Sequence, residues 1–228
     1  MYSLNMVALS IFAISLVGNA ISDDKISLKL DLHTGQKFTC KQTMDLEAGQ
    51  DGYLKGSFTI NEETISTSET EIVSKVEMSN VKLTSTGLFA QTKETFSKME
   101  GISWNRTLGH NLKSLKVAGI ESNQISNTID LVYADHPVGV GDTWDVTFQP
   151  RPTSPKITAT FKLVSFDDAQ TKIEAKIKPV GGISSPNPYV FIADRKTGHL
   201  KHAIGLILIE QAGLKLTAAY EQTFTGPL

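Results

Sequence analysis

Apolar side chains recur at every second position along most of this chain, and that spacing restricts the fold more than any other feature. Ile26, Leu28, Leu30 and Leu32 alternate with Ser27, Lys29 and Asp31. Successive side chains of an extended strand point to opposite faces, so this spacing gives one apolar face and one wet face. A turn at Thr34-Gly35-Gln36 follows, and Phe38 to Leu46 resumes the alternation. Ile157, Ala159, Phe161 and Leu163 form a later stripe, and Ile173, Ala175 and Ile177 another. Lys172, Glu174, Lys176 and Lys178 lie opposite that last stripe and read as a solvated sheet face.

Two hairpins are legible near the C-terminus. Tyr189 to Ala193 reads as a strand, Asp194 to Gly198 as its turn and His199 to Glu210 as its partner. Gln211-Ala-Gly213 then turns the chain into Leu214 to Phe224. Loops of three to five residues containing Gly suit hairpins. Gly205 to Ile209, "GLILI", is apolar on both parities, which predicts a central strand covered on both faces. Asn61 to Glu71 is polar and reads as an exposed strand tip or a long loop. Ile125 and Ile129 predict a short helix within Ser122–Tyr133, bridging two β halves, and Phe96 and Met99 suggest one more helical turn.

The fold expected is mainly β. Antiparallel sheets would form a barrel, half-barrel or sandwich from two halves, 21–121 and 134–228, joined by 122–133. Residues 21–228 suffice for one sizeable core. Cys40 is the only cysteine, so no internal disulfide can form, and it reads as a small buried hydrophobe. The first twenty residues carry no charged side chain, and an apolar run from Met6 to Val17 precedes Gly18-Asn-Ala20. This predicts an export signal cleaved after Ala20, and hence a secreted or periplasmic protein with no transmembrane span left. The net charge is −2 with both signs interspersed, which gives no support for a nucleic-acid partner.

The segments "LHTGQKFTC" and "VGVGDTWDV" align without a gap. Gly35 corresponds to Gly141, Phe38 to Trp144 and Cys40 to Val146, and the polar pair Gln36-Lys37 corresponds to Asp142-Thr143. In each copy the glycine permits a tight turn and the aromatic enters the core as the first inward residue of the next strand. Gly35, Phe38, Gly141, Asp142 and Trp144 are therefore expected to be turn and core residues, not catalytic ones. The elements "HPVGVGDTWDV", "LKLDLHTGQKFTCKQTM" and "ADRKTGHLKHAIG" resemble an uncharacterised family of bacterial secreted proteins and lipoproteins. The resemblance implies an envelope or extracellular β-rich protein and brings no established activity. The lipoprotein cysteine common in that family is absent. More remotely, the order of β halves resembles the half-barrel lipoprotein carriers, which hold acyl chains in an apolar cavity; this is an analogy of fold.

No hydrolase elbow, zinc-peptidase, P-loop or dinucleotide motif is present, and no cofactor is indicated. His199 and His202, three apart on a strand, would face opposite ways. Glu62, Glu63, Glu69 and Glu71 read as a solvated acidic tip, and no carboxylate stands out as buried. Asn105-Arg-Thr107 is a glycosylation sequon. Three functions stay open. The first is a non-catalytic protein holding an apolar or lipid-like ligand between curved sheets. The second is a structural or interaction protein of the cell envelope. The third is an enzyme of unrecognised type, which would need several of Asp135, His136, Asp142, His199 and His202 in one pocket.

Overall fold

The computed structural model describes residues 24–119, 130–149, 156–211 and 213–226. Its main feature is one open antiparallel sheet. The strands are β1 (Lys37–Glu47), β2 (Tyr53–Thr67), β3 (Glu71–Ser85), β4 (Ser103–Gly109), β5 (Ser114–Ala118), β6 (Thr143–Phe148), β7 (Ile157–Phe166), β8 (Gln170–Ile177), β9 (Ile183–Ser184), β10 (Tyr189–Asp194), β11 (Leu200–Gln211) and β12 (Leu214–Thr225). Their order is β5-β4-β3-β2-β1-β12-β11-β10-β8-β7-β6, with β9 pairing β11 off that path. The first and last strands meet at the centre, where Thr39 opposes Thr225 and Glu47 opposes Thr217. Asn61–Glu71 is a strand tip: β2 runs on to Thr67, and β3 returns from Glu71.

Most strands bury one parity, while β5 and β9 bury no residue fully. Phe38, Cys40 and Met44 of β1 face inward, as do Ala159, Phe161 and Leu163 of β7 and Ile173, Ala175 and Ile177 of β8. The sheet is rolled around this face. On a flat sheet β4 and β10 would lie six steps apart, about 29 Å. Yet Leu30 N–H donates to His110 O just after β4 (2.6 Å), and Asp31 N–H donates to Thr197 O just after β10 (2.7 Å). Adjacent residues thus tie together turns from opposite sides of the sheet.

Residues 24–34 are accordingly an extended strap and not a strand of the sheet. Their alternation is real: Ile26, Leu28, Leu30 and Leu32 are all buried. Only the Ile26–Val138 bridge and a few bonds to turns hold the backbone. A second irregular segment, Asp130 to Val138, bends at Asp135-His136 and joins the strap through the Ile26–Val138 bridge. Tyr133 N–H donates to Asn111 O (2.8 Å), and Tyr133 Oη donates to Gly198 O (2.6 Å). Together these two segments fill the mouth of the roll.

Among the described residues one short α-helix is present, α1 (Ala90–Ser97), at the turn suggested by Phe96 and Met99. It covers β2 and β3, where Phe89, Phe96 and Met99 join Phe58, Val76 and Trp104 in one core cluster. Most of the helix expected at 122–133 lies outside the described residues, and Leu131 to Tyr133 are irregular and buried. The strand holding "GLILI" is central as expected, between β12 and β10. Its two faces are covered only in part, since Gly205 to Ile209 are all half-buried.

The Gly-Asp turn and its earlier counterpart share one hydrogen-bond pattern. Gly35 N–H donates to Thr64 O (2.8 Å), and Thr64 N–H donates to Gln36 O (2.9 Å). Gly141 N–H donates to Leu163 O (2.8 Å), and Leu163 N–H donates to Asp142 O (3.1 Å). Both glycines are left-handed, with φ of 87° and 96°. Each turn clips the start of a strand, β1 or β6, to the strand that follows it. Phe38 and Trp144 then enter the core at 2% and 8% exposure.

Candidate functional site

The interior is packed, with the strap, α1 and the second irregular segment seated on the inner face. Among the described residues, these side chains occupy the inner face where a cavity between curved sheets was expected. A groove of about 570 Å³ lies instead on the outer face. Gly56, Met44, Tyr220 and Gly205 oppose one another in register across β2, β1, β12 and β11, and their backbone forms its floor. The side chains that enter it come from the opposite parity, chiefly Ile204, Leu206 and Ala219. Ile204 is 46% exposed, although it is a large apolar side chain. Pro188 forms one wall, in the excursion between β9 and β10.

This groove accounts for the two-sided "GLILI" pattern. Ile207 packs inward against the core, while Ile204 and Leu206 face the groove. Its rim is acidic, with one lysine shared by two carboxylates and Glu221 beside them. Lys55 Nζ lies 2.9 Å from Asp45 and 2.8 Å from Glu47. Those two carboxylates raise the Lys55 pKa. Glu221 lies 4.0 Å from His202.

A second polar feature is internal. Arg106 of β4 donates from Nη2 to Glu62 Oε2 of β2 (2.6 Å). Desolvation pushes the Glu62 pKa up, but the charge and hydrogen bond of Arg106 outweigh it, so the net shift is downward. Ser74 Oγ sits close enough to favour the ionised form of Glu62 but lacks hydrogen-bond geometry to it, and Thr64 Oγ1 and Arg106 Nε are also buried without a partner. Gln222 Nε2 donates to Gln42 Oε1 across β12 and β1 (2.9 Å). His199 stacks on Phe38 at 3.7 Å, and burial lowers its pKa to about 4. Cys40 is buried nearby, and desolvation pushes its thiol up to about 12.

Glu62 is therefore not part of a solvated acidic tip: it is 7% exposed and points inward, while Glu63 lies on the other face beside Lys37. Parity was the available signal. Glu62 shares the inward parity of Phe58 and Ile60, and Arg106 that of Trp104 and Leu108.

The residues that an enzyme would have needed together are dispersed. Asp135 and His136 are exposed in a bend. Asp142 accepts from Gly139 N–H (2.9 Å) and lies 4.0 Å from Lys25. His199 points inward, and His202 faces Glu221 on the outer face. Asp145 faces outward to Lys178 and Thr160, whose hydrogen bonds lower its pKa.

No protein-family model and no curated protein matches the sequence. Three solved structures align with 84% of this chain. A putative outer membrane lipoprotein-sorting protein domain from Vibrio parahaemolyticus aligns over 84% of its own length, at 9% identity and a TM-score of 0.24. A DUF1329 family protein from Desulfovibrio piger aligns over 85%, at 9% identity and a TM-score of 0.27. A LolA superfamily protein from Nitrosomonas europaea aligns over 85%, at 7% identity and a TM-score of 0.24. No helix among the described residues is long and apolar enough to cross a membrane.

Proposed function

We propose that this is an exported, non-catalytic binding protein that holds an apolar or lipid-like ligand. The observation that carries the reading is the outer groove: about 570 Å³, floored by β-sheet backbone at Gly56 and Gly205, and apolar at Ile204, Leu206 and Ala219. Pockets of roughly 300–1,000 Å³ with apolar linings and a few polar groups are the usual form of small-molecule sites. Export is supported by the uncharged apolar run at the N-terminus, with its small residues at Gly18 and Ala20.

Native mass spectrometry of the exported protein, before and after solvent extraction, tests this directly. A reproducible added mass that extraction removes, and that Leu206→Gln abolishes in a folded variant, is the expected result. An apo mass in both samples, with no uptake of added lipid, would overturn it and favour an envelope-interaction protein.

A further inference from the structure

The outer face carries a second cavity of about 370 Å³ over β6, β7 and β8. Pro188 stands in the wall of both cavities, so they are neighbours across one residue. The strand register gives their separation. Ile204 opposes Val190, Val190 opposes Glu174, Glu174 opposes Lys162, and Lys162 opposes Thr143. One outward-facing row therefore runs from the apolar floor of the first groove into the second. β8 and β7 are two and three strand steps from β11, or about 10–14 Å.

The lining differs in charge. Lys162, Lys176 and Lys178 border the second cavity, with Glu174 among them. Lys178 is engaged by Asp145, and Glu174 has Lys172 at 3.8 Å. Lys162 and Lys176 are exposed and form no ion pair among the described residues. Two cations without an ion-pair partner thus sit beside an apolar groove whose own rim is acidic, so an acidic head is drawn away from that rim and toward the lysines.

We infer that the ligand is an anionic amphiphile, with its chain on the Ile204–Leu206–Ala219 floor and its acidic head beside Lys162 and Lys176. This rests on the apolar-groove reading and adds the chemical class of the ligand to it. The chain supplies the apolar burial, and the head answers the charge across the Pro188 rim. A span of about 10–14 Å is within the length of a fatty-acyl chain. Because the lysines are solvent-exposed, their contribution is screened by salt.

The test compares dodecanoate with dodecanol, which share a chain and differ in head charge, by competition against a fluorescent lipid at low and high salt. The wild type is expected to bind dodecanoate at least tenfold more tightly than dodecanol at low salt, with the preference shrinking at high salt. Lys162→Glu/Lys176→Glu should abolish the preference and leave dodecanol affinity unchanged, whereas Ile204→Gln/Leu206→Gln should weaken both ligands. All four positions are at least partly exposed, and circular dichroism checks that each variant folds. Equal affinity for the two probes, or a preference that survives the lysine substitutions, overturns the head-group assignment and leaves the groove reading standing. Failure to bind either probe overturns both. Binding to phosphatidylglycerol vesicles without binding to monomeric dodecanoate also overturns the inference, in favour of a membrane-docking face.

Discussion

At the scale of single residues, Trp144 shows how far parity alone can reach. Its position three residues after Gly141 placed it as the first inward side chain of β6. The ring is indeed 8% exposed, stacks on Phe161 at 5.7 Å and donates from Nε1 to Val132 O (2.8 Å). Trp144→Ala should cost about 3–5 kcal/mol in urea unfolding. Trp144→Phe should cost much less, since it keeps the stacking and gives up the hydrogen bond. A loss below roughly 1 kcal/mol for the alanine variant would contradict the packing. Glu62 is harder to read, because it stands in a run of Glu, Thr and Ser most of whose members are exposed, Thr64 being the other buried one. Its distinction lies in facing Arg106, a residue 44 positions away. Removing one member of a buried ion pair strands the other charge. Arg106 keeps 34% of its side chain exposed, so Arg106→Met should sit at the low end of the usual cost, about 3 kcal/mol. The double variant Glu62→Leu/Arg106→Met should be more stable than Arg106→Met alone. If the double is worse, the pair is not the main source of the cost.

At the scale of elements, the period-2 pattern identified β1, β6 to β8 and β10 to β12, but it left β3, β4 and β5 unread and could not separate a strand from a strap. Ile26 to Leu32 alternate because an extended chain with one buried face does so whether or not its backbone joins a ladder. What distinguishes the strap is its partners, and these are turns: His110, Thr197 and Gly198. Gly198 is the tightest of these contacts. Its φ is +67°, and a Cβ there would stand 2.0 Å from Lys29 O. Gly198→Ala should therefore lift the strap from the β10–β11 turn. Hydrogen exchange should report this as a protection loss of at least tenfold at Leu30 and Asp31, with β7 and β8 unchanged. Unchanged protection in the strap would show that the turn does not hold it. The outer groove was hidden for a related reason. Ile204, Leu206 and Ala219 look in sequence like ordinary strand residues, and they gather only through the β11–β12 register.

At the scale of the whole molecule, the first and last strands meet at the centre of the sheet, and the interior there is polar. Glu62 comes from β2 and His199 from the residue just before β11, and each acts electrostatically on the other. Acid should therefore loosen the molecule at this junction, and the sign follows from the two shifts. His199 has a folded pKa of about 4 against an ordinary value of 6.5, because burial favours its neutral form. Between those values the unfolded chain takes the proton and the folded one does not, so stability falls as pH falls from 6.5 toward 4. The full span corresponds to about 3 kcal/mol at most. Glu62 is lowered below 4.5, so its contribution is present above that value and is lost as pH drops further. The two windows adjoin, which predicts a continuous decline in the urea midpoint and not a single step. His199→Phe preserves an aromatic against Phe38 and removes the titrating group. It should flatten the curve between pH 6.5 and 4.5 while leaving the steeper loss below 4.5 in place. Equal slopes for the variant and the wild type in the upper window would mean that His199 is solvated when folded, and that the roll is looser at the β1–β12 seam than its stacked rings indicate.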